Sequence, residues 1–233
     1  MEEELGPVSA QTLRDSVADV LRRAIVDGQR SPNARLNEAR IAGQLGVSRA
    51  PVREALSQLE EEGLVRSEPN KGTFVTELSS QDVEEILSLR EVLECFALRR
   101  AGDRLTDDDL AHLESILADL SAAALADDRA QFLEKDLELH RQICMASGHG
   151  LLVKLWTRLA AQTRRYMMLN LRALDEVWGG LSIGVEGHIA IVKALRNRDL
   201  EAAEQALRLH LTESAETMVQ AAKRDRTDPE ARG

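Results

Sequence analysis

Apolar positions recur at helical spacing along nearly the whole chain, with one short stretch that follows a different pattern. In residues 9–28, Leu13, Val17, Val20, Leu21, Ala24 and Ile25 fall on one helical face, and Gly28 supplies the stop. Residues 30–33 read as a loop. Asn37 is placed to cap a short helix, Glu38–Leu45, and Gly46-Val47 makes a tight turn. Ser48 then caps a second helix that runs to about Glu62, with Gly63 at its end. Leu64-Val65-Arg66 and Thr73-Phe74-Val75 flank Asn70-Lys71-Gly72, which is the pattern of a hairpin. A linker follows at residues 78–81, where either serine can cap the next element. Helices are predicted near 82–102, 106–126, 129–147, 150–172, 181–197 and 199–223, and the tail from Arg224 is polar. The predicted fold class is mostly α. A winged helix-turn-helix (9–78) precedes an antiparallel all-α bundle of six or seven helices (79–223) and a polar tail (224–233).

Composition narrows the classes. The 233 residues are 43% hydrophobic and 30% charged, which suits a globular chain. Aromatics at 3% argue against an aromatic-rich sandwich or a base-stacking RNA platform. Cys95 and Cys144 are too few for a disulfide scaffold. The acidic opening Met1-Glu2-Glu3-Glu4 is unlike a secretory signal, and no apolar run reaches the ~18 residues a membrane helix needs. A cytoplasmic protein with no membrane partner is expected.

The net charge of −10 at first opposes a nucleic-acid partner. Its distribution reverses that. In residues 28–53 five arginines (Arg30, Arg35, Arg40, Arg49, Arg53) face a single acid, Glu38, while the acidic excess lies in the first residues and the bundle. Contacted phosphates respond to the local patch and not to the average. The second short helix opens Ser48-Arg49-Ala50-Pro51-Val52-Arg53, with cations where the helix dipole favours anions. Such a start suits a helix end that meets phosphates and guanine edges. Arg49 and Arg53 share a face, while Val52, Leu56 and Leu59 face the core. Lys71 and Gly72 fall at the hairpin tip. The bland alternative is an ordinary solvated face or a protein partner for the wing.

The runs Arg35-Leu36-Asn37-Glu38, residues 45–56, residues 59–65 and Gly72-Thr73-Phe74-Val75 together resemble the GntR family of bacterial transcription regulators. The resemblance implies that Arg35, Ser48, Arg49, Arg53 and Gly72 contact DNA. Two departures stand out. The family's common Pro-Gly is Asn33-Ala34 here, and an arginine used by some members to read bases is replaced by Ala39, with Arg40 beside it.

In the bundle, the inward stripe of helix 129–147 reads Leu133, Asp136, Leu137, His140, Ile143, Cys144, Ser147. Asp136 and His140 stack one turn apart. His188 continues the stripe of Ile191, Val192 and Leu195, and His210 lies on the stripe of Ala203, Leu207, Leu211 and Ser214. A lone core histidine is usually a hydrogen-bonded structural residue. Together, however, Asp136, His140, His188 and His210 form an N3O set able to hold Zn, Ni, Mn or Fe with positions left open. His112 and His149 read as surface or capping residues. Arg90 interrupts an inward stripe, where a guanidinium is costly unless paired. It either clamps an effector carboxylate or bridges to Glu94 or Glu91. Tyr166, on the stripe of Leu152, Leu155, Leu159 and Thr163, reads as core.

Asp136-x3-His140, Ala146-Ser147-Gly148, His188 before Ile191, and His210 also resemble the FCD domain of the FadR subfamily of GntR regulators. There the matching Asp and three His bind a divalent metal, and a small carboxylate effector binds at or near it. The resemblance implies a homodimeric DNA-binding regulator, most often a repressor, on a near-palindromic double-stranded operator, and not an enzyme. Two other readings stay open at this point: a metal-dependent enzyme with an incidental helix-turn-helix, and a purely structural dimerisation bundle.

Overall fold

A computed structural model describes residues 13–102, 104–169 and 181–227. The chain divides after Glu77 into two compact units. The expected helix start at residues 9–12, the break at 177–180 and the tail at 228–233 lie outside the described residues.

In the first unit, α1 (Leu13–Val26), α2 (Glu38–Leu45) and α3 (Arg49–Glu61) pack over a small sheet. Its core is aliphatic, with Ile25, Val52, Leu59, Leu64 and Val75 all sealed from solvent. Asn37 caps α2 by accepting the Arg40 N–H at 3.0 Å, as its short polar side chain predicts. Gly46 ends α2 in the left-handed region (φ +67°), which lets the chain turn sharply into α3. The hairpin strands are β2 (Val65–Glu68) and β3 (Gly72–Val75), paired antiparallel with Glu68 opposite Gly72. The sequence predicts two strands, but the sheet has three, in the order β1-β3-β2. The additional strand, β1 (Arg35–Leu36), puts Arg35 opposite Phe74 and Leu36 opposite Thr73. Two residues are too few to show an alternating pattern.

The second unit holds six helices among the described residues: α4 (Ser80–Ala101), α5 (Asp107–Leu125), α6 (Arg129–Ala146), α7 (Gly150–Leu169), α8 (Leu181–Arg196) and α9 (Leu200–Thr227). Capping boxes start α4 (Ser79 with Asp82) and α5 (Thr106 with Asp109), and Asp128 caps α6. Helix α6 runs through the middle, packed on α4, α5 and α7, while α9 packs on α4 and α8. Helix α9 continues to Thr227, four residues past the end predicted from the polar composition of its last turn. Both cysteines are free and buried, and burial pushes the Cys95 thiol up to about 11. No helix among the described residues is long and apolar enough to cross a membrane.

Candidate functional site

The first unit presents its cations to solvent. Arg35, Arg40, Ser48, Arg49, Arg53, Lys71 and Gly72 are all exposed. Ser48 has the extended backbone of an N-cap, yet its side chain makes no cap bond, and no acid stands in the first turn of α3. That helix end therefore offers backbone N–H groups, a hydroxyl and the positive end of the dipole to an external anion. Arg53 is held by Glu38 through Nε at 3.3 Å and Nη2 at 3.0 Å, which raises the guanidinium pKa. At the wing, Lys71 lies 3.0 Å from Glu68. Gly72 sits at φ +110°, and a Cβ there would lie 3.2 Å from Arg35 Nε. The tip glycine thus makes room for the Arg35 guanidinium, which β1 delivers to the same spot. Arg35, Lys71 and Gly72 are brought together at the wing, and Ser48, Arg49 and Arg53 at the start of α3.

In the second unit, Asp136 and His140 from α6, His188 from α8 and His210 from α9 converge, with their ligand atoms all within 4.8 Å of one another. All four side chains are buried. His140 Nε2 lies 3.3 Å from both His188 Nε2 and His210 Nε2, and His188 Nε2 lies 3.1 Å from Asp136 Oδ1. The tautomers follow from the outer partners. His140 Nδ1 is 2.6 Å from Glu94 Oε2, so it carries the proton that the carboxylate accepts. His188 Nδ1 donates to the Gly184 carbonyl at 2.7 Å. In the neutral rings, therefore, the Nε2 lone pairs of His140 and His188 face each other and the Asp136 oxygen. That arrangement demands positive charge at its centre, either a proton or a metal ion. At His210 burial opposes a proton, holding that ring well below its ordinary pKa, reinforced by His188 and His140. Three imidazole nitrogens and one carboxylate oxygen match the donor preferences of zinc and the neighbouring first-row ions.

Glu94 is the residue whose role the sequence understated. Burial pushes its carboxyl up, but the charge of Arg90, that of His140 when protonated, and the hydrogen bonds from His140 and Trp156 bring it to about 2. Burial likewise raises Asp136, and a protonated His188 hydrogen-bonded to it, with the charge of the rings in that state, overcomes it and holds that carboxyl well below the usual range. Glu94 Oε1 accepts from Arg90 Nε at 2.9 Å and from Trp156 Nε1 at 2.6 Å. Arg90 thus makes the Glu94 bridge foreseen for it. Its Nη2, also buried, has no hydrogen-bond partner.

Arg90, Asp136, His140 and His210 line one cavity of about 320 Å³, closed by Leu87, Phe132, Met167 and Met218 and furnished with the hydroxyls of Ser214 and Thr217. Exposed Glu186 and Glu213 stand at its rim. The volume suits a small organic molecule. Ser214 and Thr217 follow His210 by four and seven residues, a spacing that marks one helical face. Tyr166 is buried and donates to the Met218 carbonyl at 2.8 Å, as core, although Leu155 of its predicted stripe is exposed. His149 caps α7, with Nδ1 accepting the Leu152 N–H at 3.2 Å, and His112 is exposed.

Comparison with known proteins is consistent across the chain. Residues 13–75 match the model of bacterial regulatory proteins of the gntR family, and residues 85–213 match the FCD domain. The HTH-type transcriptional repressor RspR of Escherichia coli (strain K12) is 29% identical over 94% of this chain and 94% of its own. The gluconate operon transcriptional repressor of Bacillus licheniformis is 29% identical over 78% of this chain and 75% of its own. Among solved structures, E. coli McbR/YncC superposes with a TM-score of 0.78 at 25% identity, covering 90% of this chain and 98% of that one.

Proposed function

Because the chain belongs to the GntR family of bacterial transcription regulators and carries an FCD domain, we propose that it is a repressor whose operator affinity is set by a small carboxylate bound beside a divalent metal ion. Its families and relatives are regulators of transcription and not enzymes. In the proposed reading Arg35, Ser48, Arg49, Arg53, Lys71 and Gly72 meet a double-stranded operator. A homodimer of the FadR type reads a near-palindromic sequence, because one recognition helix supplies too few base contacts for operator specificity.

Asp136, His140, His188 and His210 would hold the metal, which would supply a Lewis-acidic anchor for a carboxylate oxygen. The chain's own residues set the rest. Glu94 fixes the His140 ring, the Gly184 carbonyl fixes the His188 ring, and Arg90, which lines the cavity, has a buried Nη2 without a partner that a second carboxylate oxygen would satisfy. The observation that carries this reading is the buried convergence of three ring nitrogens and a carboxylate oxygen within 4.8 Å of one another, next to that cavity. A purely structural network of histidines has no need of that convergence.

The test is metal analysis of protein purified without chelator, for wild type and for His140→Ala and His188→Ala. Operator binding is then measured with metal and a panel of small hydroxy and sugar acids. Gluconate joins the panel because one relative represses a gluconate operon. Stoichiometric metal lost in both variants, with operator release by one acid, is expected. Equal metal in all three proteins would return the cluster to a structural role.

A further inference from the structure

The cavity beside the four converging side chains grades from buried to open. Arg90, Asp136, His140 and His210 are buried at its depth, Ser214 and Thr217 are half-buried, and Glu186 and Glu213 are exposed at its mouth. The sense of hydrogen bonding grades with it. At depth stands a donor without a partner, Arg90 Nη2, on a side chain only 3% exposed. Thr217 spends its hydroxyl proton on the Glu213 carbonyl at 2.9 Å, so toward a ligand its oxygen can only accept. The ionised carboxylates of Glu186 and Glu213 also only accept, and the Ser214 hydroxyl can serve either way.

Charge points the same way. Among the described residues the lining carries three carboxylates, Asp136, Glu186 and Glu213, and one guanidinium, Arg90, whose charge Glu94 offsets at 2.9 Å. A divalent ion at the histidines would cancel two of those negative charges, so the lining is still negative before a ligand enters. A dicarboxylate would deepen that charge and set an acceptor-only group against an acceptor-only mouth. An ammonium on a monocarboxylate adds no net charge and offers three donors. The mouth is open to water, so the ammonium keeps part of its hydration and escapes the cost of full burial.

We propose that the effector is an aminocarboxylic acid, with its carboxylate at Arg90 and its ammonium at Glu186, Glu213 and Thr217, and that these three residues select against diacids. This rests on the carboxylate reading of the cavity and narrows it to one chemical class.

Two matched sets of acids, differing only at the far end, test it. One is 4-aminobutyrate, 4-hydroxybutyrate, butyrate and succinate; the other is 6-aminohexanoate, 6-hydroxyhexanoate, hexanoate and adipate. Titration calorimetry with protein purified without chelator, its metal content measured, gives each dissociation constant. In at least one set the amino acid binds about 10-fold tighter than the diacid and about threefold tighter than the hydroxy acid, since each exposed ion pair is worth a factor of about 1.5 to 5. That lead shrinks at about 1 M salt, as it must for charges at an open mouth. The double variant Glu186→Gln with Glu213→Gln cuts the amino-over-diacid ratio below about threefold, with metal content and helix content by circular dichroism unchanged. A diacid or hydroxy acid that matches the amino acid in both sets, or a ratio that survives the double variant, overturns this class and leaves the carboxylate reading standing. Binding of sugar acids alone does the same. If no acid of either set and no hydroxy or sugar acid binds, both fall.

Discussion

Glu94 Oε2 lies 2.6 Å from His140 Nδ1, and both side chains are about 1% exposed. The acid and the histidine are 46 positions apart in sequence, on α4 and α6. Through this contact one carboxylate orients the His140 ring while its other oxygen holds Arg90 at the cavity wall.

Glu94→Gln keeps the volume but loses the charge that draws the His140 proton to Nδ1. Metal affinity is expected to fall about 10- to 100-fold, the usual cost of disturbing a ligand's outer partner. Competition with a chromophoric chelator measures it. Glu94→Ala also strands a buried guanidinium and should cost about 3–5 kcal/mol of stability in chemical denaturation.

Gly187 on α8 faces His210. A Cβ at this position would lie 2.5 Å from His210 Nδ1, closer than any real contact. Gly187→Ala should displace the ring and lower metal affinity while helix content by circular dichroism stays unchanged. Gly150→Ala, where a Cβ meets open space, is the control and should bind metal as wild type does.

Acid should weaken the metal-free protein in two stages. His210 has a folded pKa well below its ordinary value, so below about pH 6.5 the unfolded chain takes a proton that the folded chain refuses. Its contribution is complete above that pH and is lost as the pH falls. Glu94 and Asp136, both depressed, are lost further down, from about pH 4 toward about 2. The urea midpoint of chelator-treated protein should be level between about pH 8 and 7 and lower at about pH 5.5, and His210→Asn should flatten that step. Equal midpoints at the two pH values in wild type would refute a neutral His210.

Arg53 is shared between Glu38 and any DNA it meets. Arg49→Ala and Arg53→Ala should each weaken binding to an operator selected from a random duplex pool by about 5- to 150-fold if they read bases. Glu38→Gln frees the guanidinium. It should raise affinity for unrelated duplex more than for operator, narrowing the ratio between them. Fluorescence anisotropy at two salt concentrations separates these outcomes, since a lost phosphate contact also lowers the salt slope by about one.

Much of this was legible in the chain because the signals are local. Asn37, Gly46 and Gly63 punctuate the first unit where a cap or a left-handed residue is required. Asp136 and His140 declare themselves by sharing a helical face, and His188 and His210 by breaking apolar stripes. The double duty of Glu94 was hidden because Arg90, one turn away, gives it a sufficient local partner, whereas His140 and Trp156 lie 46 and 62 residues off. Strand β1 is too short to have a period. The last turns of α9 are polar enough to read as tail, yet helix propensity and continuity carry them to Thr227.

Strand β1 also changes what the head can measure. It fastens the segment before α2 to β3, so Arg35 at the wing and Arg49 at the start of α3 belong to one braced frame. Their separation is that of a caliper with fixed jaws. With Arg35 and Arg49 on DNA as proposed, a duplex whose groove width does not match would itself have to bend or narrow to fit, and the sequence-dependent cost of that deformation would become part of which operators are chosen.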